Sequence, residues 1–381
     1  MTDLNKKEYL NIAMLGHKRV PSREGGVEVV VTELSTRLAA QGHQVTCYNR
    51  TDGNNCTGSG DKDITEFHGI RLKKVFTIPR KGLAAATSSF FATLKVAFGK
   101  YDIIHFHAEG SCFFMWLPKL FGKRCILTIH GLDWQREKWK DSLGSSYIRH
   151  SEKAGVKHAD EIIVLSREMQ RYFLKNYGRE TIYIPNGVNR PVKVAPELIK
   201  EKYGLEKDDY ILFLGRIVPE KGLRYLVEAY KQLKTGKKLV IAGGSSDTDQ
   251  FEAELKNLCA EDGRVLFTGF VEGQVLEELY SNAYLYVLPS DLEGMPLSLL
   301  EAMSYGNCCV VSDIPECTEV VEDEGVVIRR GNVKELRDKL QSLCDNPQVV
   351  ERYKGTAADF ICNKYNWDTV AEETLCVYRK Q

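Results

Sequence analysis

The sequence has no long apolar run and no histidine in its second half. No apolar stretch reaches the roughly 18 residues of a membrane-spanning helix, so no membrane span is expected. No long apolar core follows the first lysines, so no signal peptide is expected. All eight histidines lie at or before His158, which excludes a histidine-based zinc site from the second half. The 11 cysteines include no C-x-x-C pair, so we expect buried thiols in a reducing, cytoplasmic compartment.

Charge is balanced over the whole chain but not along it. Residues 1–190 carry 29 Lys and Arg against 19 Asp and Glu, and residues 191–381 carry the remaining 23 against 33, so a net of +10 is followed by −10. The basic half suits an anionic surface or ligand. Two solvated surfaces of different charge explain the same numbers equally well. No nucleic-acid partner is predicted.

The order of apolar runs predicts two domains of the α/β class. With 381 residues and 43% hydrophobic content, the chain is too long for one ordinary core. Short β-branched runs alternate with helical stretches, and the alternation restarts after a boundary within 187–207. This predicts two Rossmann-like, doubly wound parallel-sheet domains facing across a cleft. The predicted strands are 9–15, 43–48, 101–107, 124–130, 161–166, 210–215, 238–244, 264–270, 283–289 and 308–313.

Ligands of such sheets bind beyond the carboxyl ends of the strands, and the segment 290–306, SDLEGMPLSLLEAMSYG, follows one. Gly294 permits a tight turn. Pro296 suits the first turn of a helix, because an N–H group there has no acceptor within the helix and its loss costs nothing. The free amides of that first turn form an anion site suited to a diphosphate. Glu301 lies about one turn further on, where a carboxylate accepts hydrogen bonds from ribose hydroxyls. An ordinary loop–helix junction with surface glutamates is the alternative.

Two cations follow another strand, in LFLGRIVPEKG at 212–222. Arg216 comes directly after Gly215, and Lys221 lies at the mouth of the next helix. Arginine offers two parallel hydrogen bonds to a phosphate and lysine a point charge, so the pair suits a pyrophosphate. A solvated loop explains the pair equally well when it is taken alone.

Together these segments resemble a known family. The pattern G-R-x-x-x-x-K-G, with E-x7-E from Glu293 to Glu301 and A-M-x-x-G behind it, is similar to the retaining GT-B glycosyltransferases of the group-one family, which use nucleotide-diphosphate sugars. The resemblance covers nearly the whole chain. It implies that Arg216 and Lys221 hold the donor diphosphate. It also implies that Glu293 contacts the donor sugar and that Glu301 holds the ribose. The further donor contacts that it implies are Gly215, Gly294, Met295, Pro296, Leu297, Ser298 and Leu299.

The resemblance also assigns a role to each domain. Residues 1–190 would bind the acceptor, and the C-terminal helix 364–381, with Trp367 and Tyr378 as anchors, would pack back on them. Residues 207–363 would bind the nucleotide sugar.

Candidates on the acceptor side follow the strands of the first half. Gly25 and Gly26 open an amphipathic helix, where amides can approach a phosphate closely, although a loop hinge is the simpler explanation. The family's N-terminal glycine-rich loop reaches the donor phosphate, which adds both glycines to the donor site. The neighbouring Arg23 and Glu24 are candidates for acceptor or phosphate contact.

His130 ends a predicted strand, and the family has a histidine there that contacts sugar or acceptor. The catalytic group predicted on this basis is His130, Glu293, Arg216 and Lys221. His107, at the end of another strand, is a further candidate for the acceptor side, although a core histidine is commoner.

The chemistry that the resemblance implies needs neither a metal nor a cofactor beyond the nucleotide sugar. Retaining glycosidases place a carboxylate nucleophile near the anomeric carbon, and the sequence offers no well-placed equivalent. Front-face attack is implied instead, with the departing diphosphate taking the acceptor proton and side-chain cations stabilising its charge. The spacing of Asp61 and Asp63 resembles a metal motif but lies in a polar loop, so we interpret it as surface.

The segment 115–124, MWLPKLFGKR, mixes apolar groups with Lys119, Lys123 and Arg124. Together with the basic first half, it suggests docking on the anionic inner face of a membrane to reach a lipid-linked acceptor. A buried helix with solvated lysines is the alternative.

Two other functions remain open from the sequence. A sugar-nucleotide 2-epimerase on the same fold would bind UDP and consume the donor without an acceptor. A non-catalytic nucleotide-sugar binding protein is less favoured, because Arg216, Lys221, Glu293 and Glu301 are all present. The start of the chain, with GHKRVPSREGGVE, resembles enzymes of surface-polysaccharide assembly, so a saccharide or lipid-linked saccharide is the predicted acceptor.

Overall fold

The structure is a computed structural model that describes residues 8–51, 64–80, 83–135, 143–245 and 248–380. Contacts divide the chain into two compact units, Met1–Asn186 with Trp367–Gln381 and Gly187–Asn366. Each unit is a parallel-sheet α/β domain, which confirms the predicted fold class. The aspartates of the D-x-D spacing, Asp61 and Asp63, lie outside the described residues.

The N-terminal unit contains an eight-stranded sheet of order β3-β4-β2-β1-β5-β6-β7-β8. Its strands are β1 Asn11–Leu15, β2 Gln44–Arg50, β3 Glu66–Phe67, β4 Ile70–Val75, β5 Ile103–His107, β6 Arg124–Ile129, β7 Glu161–Val164 and β8 Ile182–Tyr183. Its helices are α1 Gly26–Ala40, α2 Leu83–Ala97, α3 Trp116–Leu120, α4 Leu143–His158 and α5 Arg167–Tyr177, with 3-10 helices at Glu109–Phe114 and Asp133–Gln135. Every residue of β5 is buried, as expected of a central strand with both faces covered.

One edge of this sheet departs from the predicted parallel arrangement. β3 and β4 form an antiparallel hairpin that the sequence analysis missed. His68 and Gly69 make its turn with φ of 44° and 78°, the positive values that tight hairpins need. β4 alternates buried Ile70 and Leu72 with exposed basic residues, so it has the period-two signal of a strand. Its charged positions obscured that signal.

The C-terminal unit contains a six-stranded sheet of order β11-β10-β9-β12-β13-β14, with every neighbouring pair parallel. Its strands are β9 Tyr210–Leu214, β10 Lys238–Ala242, β11 Val265–Gly269, β12 Leu285–Leu288, β13 Cys309–Ser312 and β14 Val326–Ile328. Its helices are α6 Leu198–Tyr203, α7 Leu223–Lys231, α8 Asp249–Leu258, α9 Gly273–Asn282, α10 Leu297–Ser304, α11 Pro315–Val321, α12 Val333–Asp345 and α13 Pro347–Lys364, with a 3-10 helix at Pro219–Lys221.

In both sheets the order in which the chain adds strands reverses at one point, and ligand sites are expected at these two points. In the C-terminal unit the first strand, β9, lies between β10 and β12, so the chain winds to one side and then to the other. In the N-terminal unit β1 lies in the same way between β2 and β5. Loops leave in opposite directions at such a switch point and open a crevice beyond the strand ends. The loops after β9 and β12, and those after β1 and β5, are therefore where ligands are expected.

The last helix, α14 Trp367–Arg379, belongs to the N-terminal unit, where it packs against α1. Trp367 and Tyr378 are both buried. The Tyr378 hydroxyl lies 2.7 Å from Nδ1 of His105, whose Nε2 lies 2.7 Å from Thr128 Oγ1 on β6. His105 therefore joins the closing helix to the centre of the sheet while remaining wholly buried.

We predict that His105 makes stability depend on pH. Burial, and then the nearby charge of His130, lowers the pKa of His105 from 6.5 to about 3. Below pH 6.5 the unfolded chain takes up a proton that the folded chain excludes, so the free energy of unfolding falls between pH 6.5 and about 3. The share of His105 in that loss is about 2 kcal/mol by roughly pH 5. Denaturant unfolding at neutral pH and at roughly pH 5 measures this loss.

His105→Gln retains hydrogen-bonding capacity but does not titrate, so it should lose about 2 kcal/mol less than the wild type over the same pH interval. His150→Gln is the control, because His150 is exposed. Equal pH dependence in the His105 variant and the wild type would contradict the assignment.

Candidate active site

The loops after β9 and β12 meet at the switch point of the C-terminal unit. The Tyr286 hydroxyl, on β12, lies 3.2 Å from the carbonyl oxygen of Leu214 and 2.9 Å from Ser298 Oγ. Burial raises the pKa of Tyr286, so the phenol stays protonated and donates to the carbonyl while accepting from the serine. Leu214 is two residues before Arg216, and Ser298 is three before Glu301. One hydroxyl therefore holds both candidate segments together.

An ion pair makes a second link between these loops. Lys221 Nζ lies 2.6 Å from Glu293 Oε1, and the two side chains are 12% and 8% exposed. The Ser290 hydroxyl donates to the same carboxylate oxygen at 2.7 Å. The structure thus brings two predicted site residues together, but in contact with each other. Because the pair has no net charge, a diphosphate at this place would be attracted more by Arg216 and the amides of α10 than by Lys221.

A glycine permits the close approach of the two loops. Gly222 has φ of 69°, and a Cβ added there would overlap the carbonyl oxygen of Pro289. Close by, the amide of Asp291 donates to the carbonyl of Glu220 at 2.8 Å. Any larger residue at 222 would both strain the backbone and separate the loops.

Asp291 is a polar residue of this site that the sequence analysis did not single out. Tyr225 of α7 donates to its Oδ2 at 3.1 Å, and Arg330 donates to its carbonyl oxygen at 3.4 Å. Burial raises the pKa of the Asp291 carboxyl, and the Tyr225 hydrogen bond opposes that rise. The available signal was an acid directly after a buried strand, next to the more conspicuous Glu293.

Helix α10 begins one residue later than expected. Pro296 precedes the helix with φ of −75° and ψ of 103°, and its carbonyl accepts from the amides of Leu299 and Leu300. The amides of Leu297 and Ser298 therefore lead the helix, where intrahelical partners are lacking. The positive end of the helix dipole favours an anion at that place.

The predicted contact residues around α10 differ in exposure. Gly294, Leu297 and Ser298 are half-buried, whereas Met295, Pro296 and Leu299 are buried. The side chain of Leu299 is 0% exposed and belongs to the core, so only its backbone remains a candidate.

Glu301 is the fifth residue of α10, and the structure gives it an aromatic neighbour. The Tyr280 hydroxyl lies 3.2 Å from Glu301 Oε2 and 3.3 Å from the carbonyl oxygen of Ser298. Tyr280 also stacks on Tyr305, with 5.3 Å between ring centroids and 17° between the planes. The sequence analysis missed Tyr280 and Tyr286, because aromatic residues in apolar runs have the pattern of ordinary core residues.

Arg216 lies in the loop that follows β9, and this loop is fixed by backbone hydrogen bonds. The amide of Gly215 donates to Ala242 at 3.0 Å, and the amide of Ile217 donates to Gly244 at 2.9 Å. Arg216 itself is half-buried. Its backbone is therefore held on both sides, which orients a cation at the end of β9.

The switch point of the N-terminal unit is lined by histidines. Gly16, after β1, has φ of 103°, and a Cβ there would overlap the carbonyl oxygen of His107 at the end of β5. His107 Nδ1 lies 3.1 Å from Nε2 of His130, which directly follows β6 and is half-buried. His17 Nε2 lies 3.0 Å from Asn49 Oδ1. His17 was not predicted, although it follows Gly16 directly after the end of β1.

His107 and His17 are neutral at neutral pH. Burial, then the charges of His105, His130 and His17, lowers the pKa of His107 well below its ordinary value. Burial is also the largest cause that lowers the pKa of His17 to about 4. Among the described residues, His107 Nε2 is buried without a hydrogen-bond partner. A buried N–H without an acceptor is costlier than a bare lone pair, so the network assigns the proton to Nδ1, which donates to His130 Nε2. His130 then carries its own proton on Nδ1.

The glycine pair before α1 meets an acidic side chain. Gly25 caps the helix in extended conformation, and Gly26 is its first residue. The Glu28 carboxylate is 5% exposed, accepts from the amide of Lys18 at 2.9 Å and lies against Gly25. An anionic group therefore already lies at this helix end. Arg23 and Glu24, the acceptor-side candidates next to the glycines, are exposed.

Two negative findings apply to the described parts of the chain. Within 8–51, 64–80, 83–135, 143–245 and 248–380, no group of three or more His, Cys, Asp or Glu side chains is arranged to hold a metal ion. Over the same ranges, no helix has the length and apolar character needed to cross a membrane.

Two family models match the chain, one to each unit. The model described as Glycosyltransferase Family 4 matches residues 24–190, and the model described as Glycosyl transferases group 1 matches residues 196–363. The second match contains both loops of the C-terminal switch point. The first contains His107, His130 and the start of α1.

Similar proteins extend over almost the whole chain. The α-maltose-1-phosphate synthase of Mycobacterium tuberculosis is 28% identical, over 97% of this chain and 99% of its own. The sucrose-phosphate synthase of Thermosynechococcus elongatus has a TM-score of 0.80 at 24% identity, covering 97% of this chain and 98% of its own. The Anabaena protein Alr3699/HepE in complex with UDP-glucose has a TM-score of 0.79 at 18% identity, covering 97% and 100%. The two solved structures show the GT-B fold. Since both family models describe glycosyltransferases, the chain belongs to the glycosyltransferases of the group 1 type.

Proposed function

We propose that this glycosyltransferase moves a hexose from a nucleoside diphosphate sugar to a saccharide or lipid-linked saccharide acceptor, with retention of configuration and without a metal ion. The observation that carries the proposal is the convergence of two loops at the C-terminal switch point, held by the Tyr286 hydroxyl and the Lys221–Glu293 pair. UDP is the favoured nucleotide, because the structurally similar Anabaena protein is described with UDP-glucose.

In this proposal the donor diphosphate lies at the amides of Leu297 and Ser298, beside Arg216. Arginine supplies a planar pair of donors, and the helix start supplies N–H groups and a positive dipole end. Both interact with the negative charge of the diphosphate. That charge grows as the bond to the sugar breaks, so the arginine and the amides stabilise the leaving group. Lys221 adds to this when the arriving phosphate competes with Glu293 for its ammonium group.

Two carboxylates complete the donor site. Glu301 receives the ribose hydroxyls, and the Tyr280 hydroxyl, 3.2 Å from its Oε2, orients the carboxylate. Glu293 receives a hydroxyl of the sugar through Oε2, because Oε1 already accepts from Lys221 and Ser290. A carboxylate with one oxygen fixed in this way suits orientation better than nucleophilic attack, which favours the front-face route.

In that route the atoms balance without a covalent enzyme intermediate. The bond between the anomeric carbon and the diphosphate oxygen breaks, and the acceptor oxygen bonds to the same face of that carbon. The acceptor proton passes to an oxygen of the departing diphosphate. Side-chain and amide donors neutralise the developing charge, so no metal ion or other cofactor is required.

The acceptor side is placed at the N-terminal switch point. In this proposal the Nδ1–H of His130 donates to the acceptor, while its Nε2 accepts from His107. His107 is thus a positioning residue that fixes the ring and the tautomer of His130. Arg23 and Glu24 are exposed candidates for polar contact with a saccharide acceptor. We propose that this acceptor is a precursor in surface polysaccharide synthesis and is used at the inner face of the membrane.

Nucleotide binding should depend on Arg216 and Glu301. In a thermal-shift panel of UDP, dTDP, GDP and ADP, we expect UDP to stabilise the wild type most. Arg216→Ala or Glu301→Ala should weaken UDP binding about tenfold or more, because each removes a charge-assisted hydrogen bond. Titration calorimetry measures the affinity.

The matched controls are Arg224→Ala and Glu277→Ala, both exposed on helices of the same unit. They should bind UDP as the wild type does. If no nucleotide shifts the wild type, or if the controls lose as much affinity as the site variants, the donor site is wrongly placed.

Product stereochemistry tests the reaction itself. With an α-linked donor, we expect an α-linked product by proton NMR, at a rate unchanged by EDTA, because the proposed charge stabilisation uses side chains and amides. An inverted product or loss of activity with EDTA would contradict the mechanism. Donor consumption without acceptor, giving the 2-epimer, would identify an epimerase instead.

A further inference from the structure

We propose that the N-terminal unit docks on an anionic lipid bilayer through an apolar surface of α2, the 3-10 helix Glu109–Phe114 and α3. The orientation of α2 is the first observation. This helix exposes Leu83, Phe90 and Leu94 and buries smaller residues instead. The buried residues of α2 are Ser88, Ser89, Ala92, Thr93, Val96 and Ala97. A helix that serves only the core of a water-soluble domain has the opposite arrangement.

The neighbouring elements extend this face into one continuous surface. The Phe90 ring lies 5.1 Å from Phe114 of the 3-10 helix, and the Phe98 ring, just beyond α2, lies 4.7 Å from Phe121, just beyond α3. Leu120 at the end of α3 is 72% exposed and Phe98 is 67% exposed. The α2–α3 surface is defined by its exposed side chains, Phe76, Leu83, Phe90, Leu94, Phe98, Phe113, Trp116, Leu120 and Phe121.

Exposed apolar residues are concentrated on this surface. Of the sixteen large hydrophobic side chains that are exposed among the described residues, nine lie between residues 76 and 121. Only four lie among the described residues of the C-terminal unit, namely Val192, Leu258, Phe270 and Val349. Scattered exposed apolar residues need no explanation, whereas a contiguous patch marks a docking site.

The charge around the surface identifies its occupant. Residues 70–124 contain ten Lys and Arg but only two acids, Asp102 and Glu109. Glu109 is 0% exposed, and Asp102 is half-buried and accepts from the amide of Asn11 at 2.8 Å. Arg80 and Lys100 are exposed just before and just after α2. An apolar face with a basic margin matches a bilayer that carries anionic headgroups.

The lysines that the sequence first suggested are not the ones that serve this role. Lys119 forms an ion pair with Asp160 at 2.7 Å, and Lys123 donates to the carbonyl of Gly99 at 2.7 Å. Arg124 donates to the carbonyl of Val377. In this segment Trp116, Leu120 and Phe121 are exposed and the cations are engaged, so the alternative of a buried helix with solvated lysines does not describe it.

A second copy of the chain fits this surface less well. A two-fold dimer would place the same basic margin against itself, and like charges in contact oppose association. Lysine is also depleted at protein interfaces. An anionic bilayer buries the apolar side chains, and its headgroups neutralise the basic residues around them.

Docking would place the acceptor side of the proposed function near lipid-linked substrates, but it does not rest on the donor site. Cosedimentation of the full chain with vesicles tests it, using phosphatidylcholine alone or mixed with phosphatidylglycerol. We expect binding to the mixed vesicles, weakened by salt because the basic margin is exposed. Phe98→Ser combined with Leu120→Ser should lower the partition coefficient about tenfold or more. Arg80→Gln combined with Lys100→Gln should reduce the preference for phosphatidylglycerol.

Leu174→Ser combined with Lys175→Gln is the matched control, because both residues are exposed on α5. It should bind vesicles as the wild type does. All variants should keep the unfolding temperature and the UDP-induced shift of the wild type, which separates this proposal from the donor site. Absence of vesicle binding by the wild type, or equal binding by the Phe98 and Leu120 variant, would overturn the proposal. So would a dimer in light scattering that this variant dissociates.

Discussion

The contact of two strand-end loops beside β9 and β12 is the constraint on which the C-terminal site depends. A parallel sheet whose winding reverses there would otherwise leave an open crevice between the loops. Here the Tyr286 hydroxyl bridges Leu214 and Ser298, and the Lys221–Glu293 pair makes a second link between the loops. Since both links lie in the core or at its edge, a cation at the end of one strand and a helix start at the end of the next are held in fixed relation. Such fixed donors can stabilise a leaving diphosphate without reorganising.

The two units solve different electrostatic problems. The C-terminal half is acidic overall, yet Arg216, Lys221 and the first amides of α10 lie at its switch point. The N-terminal half is basic overall, yet its switch point contains neutral histidines whose pKa values burial lowers. Neutral imidazoles can donate and accept hydrogen bonds with sugar hydroxyls without repelling a nearby cation. Exposed cations, Arg80 and Lys100, lie instead at the two ends of α2, beside the apolar α2–α3 surface.

Much of the fold was predictable, because buried parallel strands leave continuous β-branched runs between helices. The site was predictable as segments rather than as contacts. Sequence spacing placed Arg216 and Glu301 after neighbouring strands, but it gave no sign that Lys221 and Glu293 neutralise each other, since that depends on the packing of two loops. Tyr280, Tyr286 and His17 were missed because their chemistry appears only when a buried polar atom finds its partner. The inverted face of α2 was missed for a different reason, because its sequence contains enough apolar residues for an ordinary buried side.

A crystal structure of the chain with UDP bound tests the central claim most directly. The account predicts the diphosphate within hydrogen-bond distance of the Arg216 guanidinium and of the amides of Leu297 and Ser298, with the ribose hydroxyls on Glu301. A nucleotide bound instead at the end of β1, against Gly16 and the histidines, would contradict it.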